Sequence, residues 1–488
     1  MLLGSNTCFT MERRAKLQKL NQFRRKLPHI TASALAAVLG AVRDDGLPDL
    51  ADRDSMREAR DLESMAPGPY GPILQHVDAH TKDGHTKQVP IANPFALLWA
   101  VMTASQWMRT FVTKLFQRSQ PSPENPWSIV MYSDEVTPGN PLSTNNKRKF
   151  QAVYFSFMEF GVAALSHEEA WFCMMIEFST AINDLAAGMS QMFAALIKVF
   201  FDPSGLDISR SGVALPGDGG TRLRLFAKMA AFLQDGGAHK STWHCRGDGA
   251  SKFCLLCKNL FTESSSVCDE DGTNLLRCNV IKKSGLVPAA GKDLRRSARY
   301  LAAKVGTIPP GDFTELQQAL GLTHHPHSIL LDRALDDIVD PVANYFHDFM
   351  HGLFVDGVCN ITVYLVLEAF IVSGMSDVYT QLSSYIGLWD WPGRIYSNQL
   401  PDIFAESRKD KHRKAHHIKC QASDMLSLVP VLAMFVLKIL LPRKTCDAAC
   451  FAFLALANVV EFIWFAARGG AGSYTVGLAG GEVSSAVC

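Results

Sequence analysis

The sequence has almost no excess charge. Lys and Arg number 48 against 47 Asp and Glu, a formal net charge of +1 over 488 residues. No global field therefore draws the chain to nucleic acid, and any such binding must use local patches. The first ten residues are not a basic-then-apolar leader, and Met11-Glu-Arg-Arg reads as a second candidate start. Without a secretory signal, the 12 cysteines scattered along the chain read as reduced thiols of a cytosolic or nuclear protein. One C-x-x-C spacing stands alone, at Cys254 and Cys257, with no βαβ pattern around it, which argues against a thioredoxin-like role. The histidines of Thr323-His-His-Pro-His327 have no i, i+4 helical register for a metal. What is present is an ordinary globular composition, 48% apolar and 19% charged, with length for two or three domains.

The chain is organised around Trp127 to Gly161. An apolar run, Trp127-Ser-Ile-Val-Met-Tyr-Ser, ends abruptly on Asp134 and Glu135. Pro138, Gly139, Asn140 and Pro141 break the chain. Lys149 to Phe160, rich in Phe, Tyr and Val, predicts a second strand, and Ala170 to Ser179 a third. Ala181 to Phe201 predicts a helix, stopped by Asp202-Pro203-Ser204-Gly205. Three strands then a helix, with a carboxylate closing the first strand, predict a ribonuclease-H-like α/β mixed sheet. The plainer reading of Asp134 is a turn residue. Such a fold needs a central strand ending in an acid, and Leu223 to Gln234 precedes Asp235. Its Ala, Met, Lys and Leu favour helix by propensity; topology asks for a strand and is followed here.

The flanking stretches are read more coarsely. Arg13 to Lys26 is basic, suited to a DNA-contacting arm or a nuclear signal, or simply a solvated helix face. Asp44 to Glu63 reads as a surface helix or linker and Ala66 to Gln88 as loop. Pro94 to Gln117 predicts one helix with a core stripe of Phe95, Leu98, Met102, Trp107, Phe111 and Leu115. Trp243 to Cys278 is dense in cysteine. Cys254 and Cys257 form a knuckle that presents two thiolates to one zinc, with His244, Cys245, Cys268 and Cys278 as candidate partners. Plain buried cysteines are the competing reading. Lys292, Arg295, Arg296 and Arg299 recur at helical spacing as a positive face, suited to phosphates or simply solvated. Asp332, Asp336, Asp337 and Asp340 cluster before Pro341, and His347, Asp348 and His351 are candidates to converge, since positions i and i+3 share a helix face. After the basic run Lys409 to Lys419 come two apolar segments, Met425 to Leu441 and Ala448 to Ala467, the second holding Glu461. A mid-membrane Glu costs on the order of 2 kcal/mol or more, so buried helices are preferred over a membrane hairpin. From Gly469 the chain reads as a disordered or out-of-frame tail.

Several motifs together resemble the cut-and-paste transposases of the Plavaka and KDZ type, related to the CACTA group. They are Tyr132-Ser-Asp-Glu-Val with the following Asn-Pro-Leu and Lys-Arg-Lys-Phe, Leu233-Gln-Asp-Gly-Gly-Ala-His-Lys, Lys252-Phe-Cys-Leu-Leu-Cys-Lys-Asn, and His347-Asp-Phe-Met-His-Gly followed by Asp356-Gly. The resemblance runs from about Trp127 to Leu441. It implies a ribonuclease-H-like core with a cysteine-rich zinc insertion and a helical insertion, acting on DNA in the nucleus. By it, Asp134 and Asp235 are the first two metal-binding acids, and Asp348 lies in an Asp-x-x-His motif. Such cores continue to a final acidic helix; here the chain passes into Gly-Ala-Gly-Ser-Tyr after Arg468, which reads as a truncated copy.

The expected organisation is an N-terminal helical and linker region over residues 1–93, the first core strands over 94–243, a cysteine-rich module over 244–280, a helical region over 281–468, and a tail over 469–488. Phosphodiester cleavage and strand transfer use two Mg²⁺ (or Mn²⁺) ions about 4 Å apart, held by hard carboxylate oxygens. Asp134 is the expected bridging ligand, Asp235 the second and Asp348 the third. Zn²⁺ is the expected structural ion. The expected partner is DNA, at transposon ends and target, with homo-oligomers and no membrane. Two other classes compete: a non-catalytic, transposon-derived DNA-binding protein, and a membrane-associated protein built on the C-terminal apolar segments.

Overall fold

The computed structural model describes residues 32–45, 54, 65, 68–138, 148–261, 277–279, 286–391 and 399–467. The basic segment at Arg13 to Lys26, the breakers from Gly139 to Pro141, Cys268 and the tail lie outside these residues. The chain divides into two units, Met1–Ala66 and Pro67–Cys488. In the first, Ala32–Asp45 forms a helix, α1. Everything below concerns the second.

The second unit is of the α/β class, centred on a mixed five-stranded sheet. Its strands are β3 (Trp127–Val136), β4 (Phe150–Phe157), β5 (Phe172–Phe178), β8 (Ala227–Gln234) and β11 (Tyr345–His347). They lie in the order β11-β8-β3-β4-β5. β3 with β4 and β4 with β5 are antiparallel, while β8 runs parallel to β3 and β11 parallel to β8. Thus the three strands expected from Trp127 to Ser179 are adjacent and antiparallel, and the segment ending at Asp235 lies beside the first. β8 is a strand despite its helix-forming composition, because a strand flanked on both edges has its backbone groups taken up by neighbours, and burial outweighs propensity there.

Period-two alternation explains how the sheet is buried. Trp127, Ile129 and Met131 of β3 point to one face, with Val153, Phe155 and Phe157 of β4, and all are buried. Helix α4 (Gly188–Phe200) covers that face with Met192, Phe193, Leu196 and Phe200. Phe155 meets Phe200 edge-on at 5.1 Å between ring centroids, and Phe193 meets Phe232 of β8 at 5.4 Å. The other face is less covered. Phe346 and Ile176, on the two edge strands, are 44% and 54% exposed.

Two expectations are corrected here. Ala66 to Gln88 is not simply loop: β1 (Leu74–His80) and β2 (Thr86–Ala92) pair as an antiparallel hairpin. The His and Asp residues on its outer face concealed the alternation that buries Ala79, Val89 and Ile91. Pro94 to Gln117 is not one helix but two, α2 (Pro94–Ala104) and α3 (Gln106–Arg118). Ser105 leaves the helical region and accepts the Met108 N–H as an N-cap, at 3.2 Å. The break rotates the buried stripe onto Met108, Val112 and Phe116 and leaves Trp107 61% exposed.

Between β5 and β8 a small hairpin, β6 (Val213–Pro216) and β7 (Arg222–Leu225), follows α4. After β8 come α5 (Gly236–Trp243), the short parallel pair β9 (Asn259–Phe261) and β10 (Arg277–Asn279), α6 (Gly291–Lys304) and α7 (Pro310–Leu320). Gly321 ends α7 at φ +69°, and a Cβ there would come within 2.3 Å of the Lys252 carbonyl oxygen, so the position needs glycine for two reasons.

β11 leads into a helical bundle with its own core. It comprises α8 (Phe349–Phe354), α9 (Val358–Val372), α10 (Val378–Gly387), α11 (Lys409–Ala415), α12 (Ala422–Phe435) and α13 (Asp447–Ala467). Phe354, Phe370, Tyr379, Leu382, Phe404 and Phe435 fill its centre. The stretches Phe349–Val372, Ala422–Arg443 and Asp447–Phe465 are long and apolar enough to cross a membrane.

Candidate active site at the strand ends

The register of the parallel strands brings three aspartates to one level. Tyr132 of β3 pairs with Leu233 of β8, so Asp134 and Asp235, each two residues further on, occupy matching positions. His347 of β11 pairs with Gln234, so Asp348 and Asp235 each follow by one residue, and the Asp348 N–H donates to the Gln234 carbonyl at 2.8 Å. All three therefore sit at the carboxyl ends of adjacent parallel strands, about 4.8 Å apart per strand. That edge is where open α/β sheets present ligand-binding groups.

Each carboxylate has a distinct setting. Asp134 is exposed and accepts the Tyr132 hydroxyl on Oδ2 at 3.2 Å. Asp235 is the N-cap of α5, its Oδ1 accepting the Ala238 N–H at 2.6 Å. Asp348 is the N-cap of α8. Its Oδ1 accepts the Met350 N–H at 2.8 Å, and its Oδ2 faces His351 Nδ1 at 2.6 Å. The turn reading of Asp134 is thus not what its position offers: it is the last outward residue of β3 before Glu135 and Val136 close the strand. Glu135 points elsewhere, to Lys149 at 2.7 Å and the Ser179 hydroxyl at 2.9 Å, tying three strands together.

Tyr132 reports the combined field of the three acids. Burial pushes its phenol pKa well up, and the carboxylates of Asp134, Asp348 and Asp235 each push it further. Beneath the site, Gln234 is fully buried and its Nε2 donates to Ser133 Oγ at 2.8 Å and Thr242 Oγ1 at 3.0 Å, locking β8 to β3 and α5. His239 of α5 stacks on Tyr345 at 3.6 Å between centroids. It accepts the Trp243 indole N–H on Nδ1 at 3.1 Å and donates from Nε2 to the Phe346 carbonyl at 3.0 Å, which defines a neutral imidazole. Burial, and then His347, lowers its pKa to about 4. Sequence reasoning passed over Tyr132, Gln234 and His239. The available signals were period two for Tyr132 and Asp134, and the i, i+4 spacing of His239 and Trp243.

Among the described residues, no group of three or more His, Cys, Asp or Glu side chains is arranged to hold a metal ion. At the strand ends the physical reason is local: two of the three acids turn oxygens into helix caps. In the cysteine-rich stretch, the Cys257 thiol faces the Cys254 carbonyl at 4.0 Å, and the proximity of the two thiols holds Cys257 down and pushes Cys254 up. The other candidates do not join them in the described structure. Cys245 forms a β-bridge with Leu322, and the His244 ring packs on His325 at 4.1 Å between centroids. Cys268 and the side chain of Cys278 lie outside the described residues.

Of the residues read as a positive face, the fold buries Arg295, leaves Lys292 and Arg296 exposed and Arg299 half-buried. Arg295 is 4% exposed and donates to the Leu335 and Val339 carbonyls at 2.9 and 2.7 Å. It also pairs with Asp336 at 3.0 Å, and Arg299 bonds the same carboxylate, so part of the acidic cluster is engaged by these arginines. No protein-family model matches the chain, and no curated protein matches it.

Proposed function

We propose that the mixed sheet is a ribonuclease-H-like core and that the protein is a transposase-like relative of the Plavaka and KDZ type, cleaving DNA phosphodiesters with Mg²⁺ or Mn²⁺. The observation that carries this reading is the convergence of Asp134, Asp235 and Asp348 on three adjacent strand ends. The strand order, with the first strand between its antiparallel partner and a parallel fourth, supports it. The donor set suits a hard divalent cation, since every candidate ligand is a carboxylate oxygen. Asp134 would be the shared ligand, oriented by the Tyr132 hydroxyl. Asp235 would contribute Oδ2, which its cap leaves over, and Asp348 would join once His351 releases Oδ2. Cations bound there supply charge stabilisation and an activated attacking oxygen. Exposed cations of the Lys409 to Lys419 run would hold the DNA backbone without reading bases. On the same reading Cys254 and Cys257 hold a structural Zn²⁺, with its other ligands from the cysteine-rich stretch.

A second reading, a non-catalytic transposon-derived DNA-binding protein, is favoured by one observation: Asp348 has both oxygens engaged, by Met350 and His351. Nicking of supercoiled plasmid with Mg²⁺ or Mn²⁺ separates the two. Cleavage that falls about a thousandfold or more in Asp134→Asn supports the first, because Asn cannot bridge two cations. Cleavage unchanged in Asp134→Asn rejects Asp134 as a ligand. DNA binding without cleavage, weakening steeply with salt, assigns the second.

A further inference from the structure

One cavity in the second unit does not involve the strand-end acids. It is a cleft of about 1060 Å³ between β1, the outer side of α4 and the loop after His325. Its size is in the range of small-ligand sites. Nothing in the transposase reading uses it.

The polar groups on its walls are lopsided. The carboxylates of Asp78, Asp202 and Asp332 face it, against one ammonium, Lys198. That ammonium is already paired with Asp332. Three further donors are used internally. The Tyr70 hydroxyl donates to the Ala214 carbonyl at 2.8 Å, and Asn93 Nδ2 to the Tyr70 carbonyl at 2.8 Å. Gln191 Nε2 donates to the His80 carbonyl at 3.4 Å. On the carboxylates and on Gln191, acceptor capacity remains. Asp78 accepts from Gln88, and Asp202 from the Ser204 N–H at 2.9 Å and hydroxyl at 2.7 Å, each through Oδ1 alone. Gln191 is 7% exposed, lines the cleft, and its Oε1 is buried with no hydrogen-bond partner. A buried acceptor left unpaired is costly, so a donor that reaches it is favoured over solvent that does not. His327 stacks on His80 at 4.4 Å between centroids, and burial followed by its neighbour lowers the His327 pKa.

We propose that this cleft binds an organic cation, an ammonium or guanidinium group, through Asp78, Asp202 and the Gln191 carbonyl oxygen. An anion would meet excess carboxylate. A metal ion is not matched, because no three of the ligating side chains are grouped to hold one among the described residues. Tyr70, Phe95 and Phe201 line the same walls, and the half-buried Tyr70 ring adds apolar surface for a cation's alkyl stem. Two sources carry this chemistry: a free polyamine, and a Lys or Arg side chain of a basic peptide.

Titration calorimetry of the full chain at pH 7.5 and low salt, with spermidine, a hexa-arginine peptide and a neutral diol of spermidine's length, tests the proposal. Saturable one-to-one binding of either cation is expected, weakening about fivefold for each of Asp78→Asn and Asp202→Asn. Asn keeps the acceptor that serves Gln88 or Ser204, so unchanged thermal unfolding of both variants is expected. Spermidine alone binding assigns a free polyamine; the peptide alone assigns a chain segment; both together assign the shared chemistry. Binding of neither cation overturns the inference. So does equal binding of the diol, or cation binding that survives intact in the double variant.

Discussion

The sheet and the helical bundle bury similar side chains but place their polar groups in opposite ways. In the sheet, alternation sends apolar residues to one face, and the strand ends collect acids from positions more than two hundred residues apart, Asp134 and Asp348. In the bundle, helices apolar along most of their length leave polar groups as isolated local pairs, and Asn360 Oδ1 and the Tyr379 hydroxyl are buried without a partner. Asn360 Nδ2 donates to the Ile418 carbonyl at 2.8 Å. His412 faces the Ile403 carbonyl at 2.8 Å and accepts the Lys419 N–H at 3.0 Å. Arg413 holds Glu368 in a forked ion pair. Convergent polar groups with capacity left over mark a site; scattered ones mark packing. The same contrast bears on the apolar stretches of membrane-spanning length. Glu368, within one of them, pairs with Arg413 of a strongly charged helix, α11.

The sharpest way to break this comparison is to remove one ring from each core. Phe155→Ala in the sheet and Phe404→Ala in the bundle, both fully buried, should each cost about 3–5 kcal/mol. The two cores are separate clusters. Hydrogen exchange should therefore show Phe155→Ala loosening β3, β4 and α4 first, and Phe404→Ala loosening α9 to α12. Uniform loosening of the whole unit by either variant would mean one cooperative core.

A pH series sharpens the sheet side. His239 has its folded pKa lowered to about 4 from 6.5, by burial and then by His347, with the Phe346 carbonyl and Asp235 opposing. A depressed histidine is neutral in the fold and protonates more readily when unfolded. Its contribution is therefore complete above pH 6.5 and is lost as pH falls toward 4, reaching about 3 kcal/mol there. Urea unfolding at pH 7.5, 5.5 and 4.5 measures it, and His239→Gln should flatten the slope in that window. An identical slope in the variant would assign the acid sensitivity to other groups.

The smallest effect is expected from Glu368→Gln. Arg413 is 40% exposed in its side chain, so despite the forked geometry the loss should stay below about 1 kcal/mol and shrink with salt. A larger loss would show that the bundle depends on this pair as the sheet depends on its buried Gln234.

Much of the sheet was legible locally. Aromatic and β-branched runs marked β3, β4 and β5, and the abrupt change to Asp134 marked a strand end. Other elements misled for identifiable reasons. A polar outer face hid the β1–β2 hairpin. One serine split a helix whose apolar spacing continued across it. The helical spacing of Arg295 and Arg299 looked like a solvent face, because spacing records which residues share a side and not what that side meets.

Element type and the chemistry of the candidate ligands were thus set by short-range sequence: side-chain shape, alternation and caps act within a few residues. Which acids meet was decided by the tertiary structure, through the parallel register of β3, β8 and β11. So was the pairing of Asp348 with His351, the burial of Arg295 and the cleft beside α4. These depend on contacts between distant segments, where hydrogen-bonded strand pairing and close packing select one arrangement among many with the same local pattern.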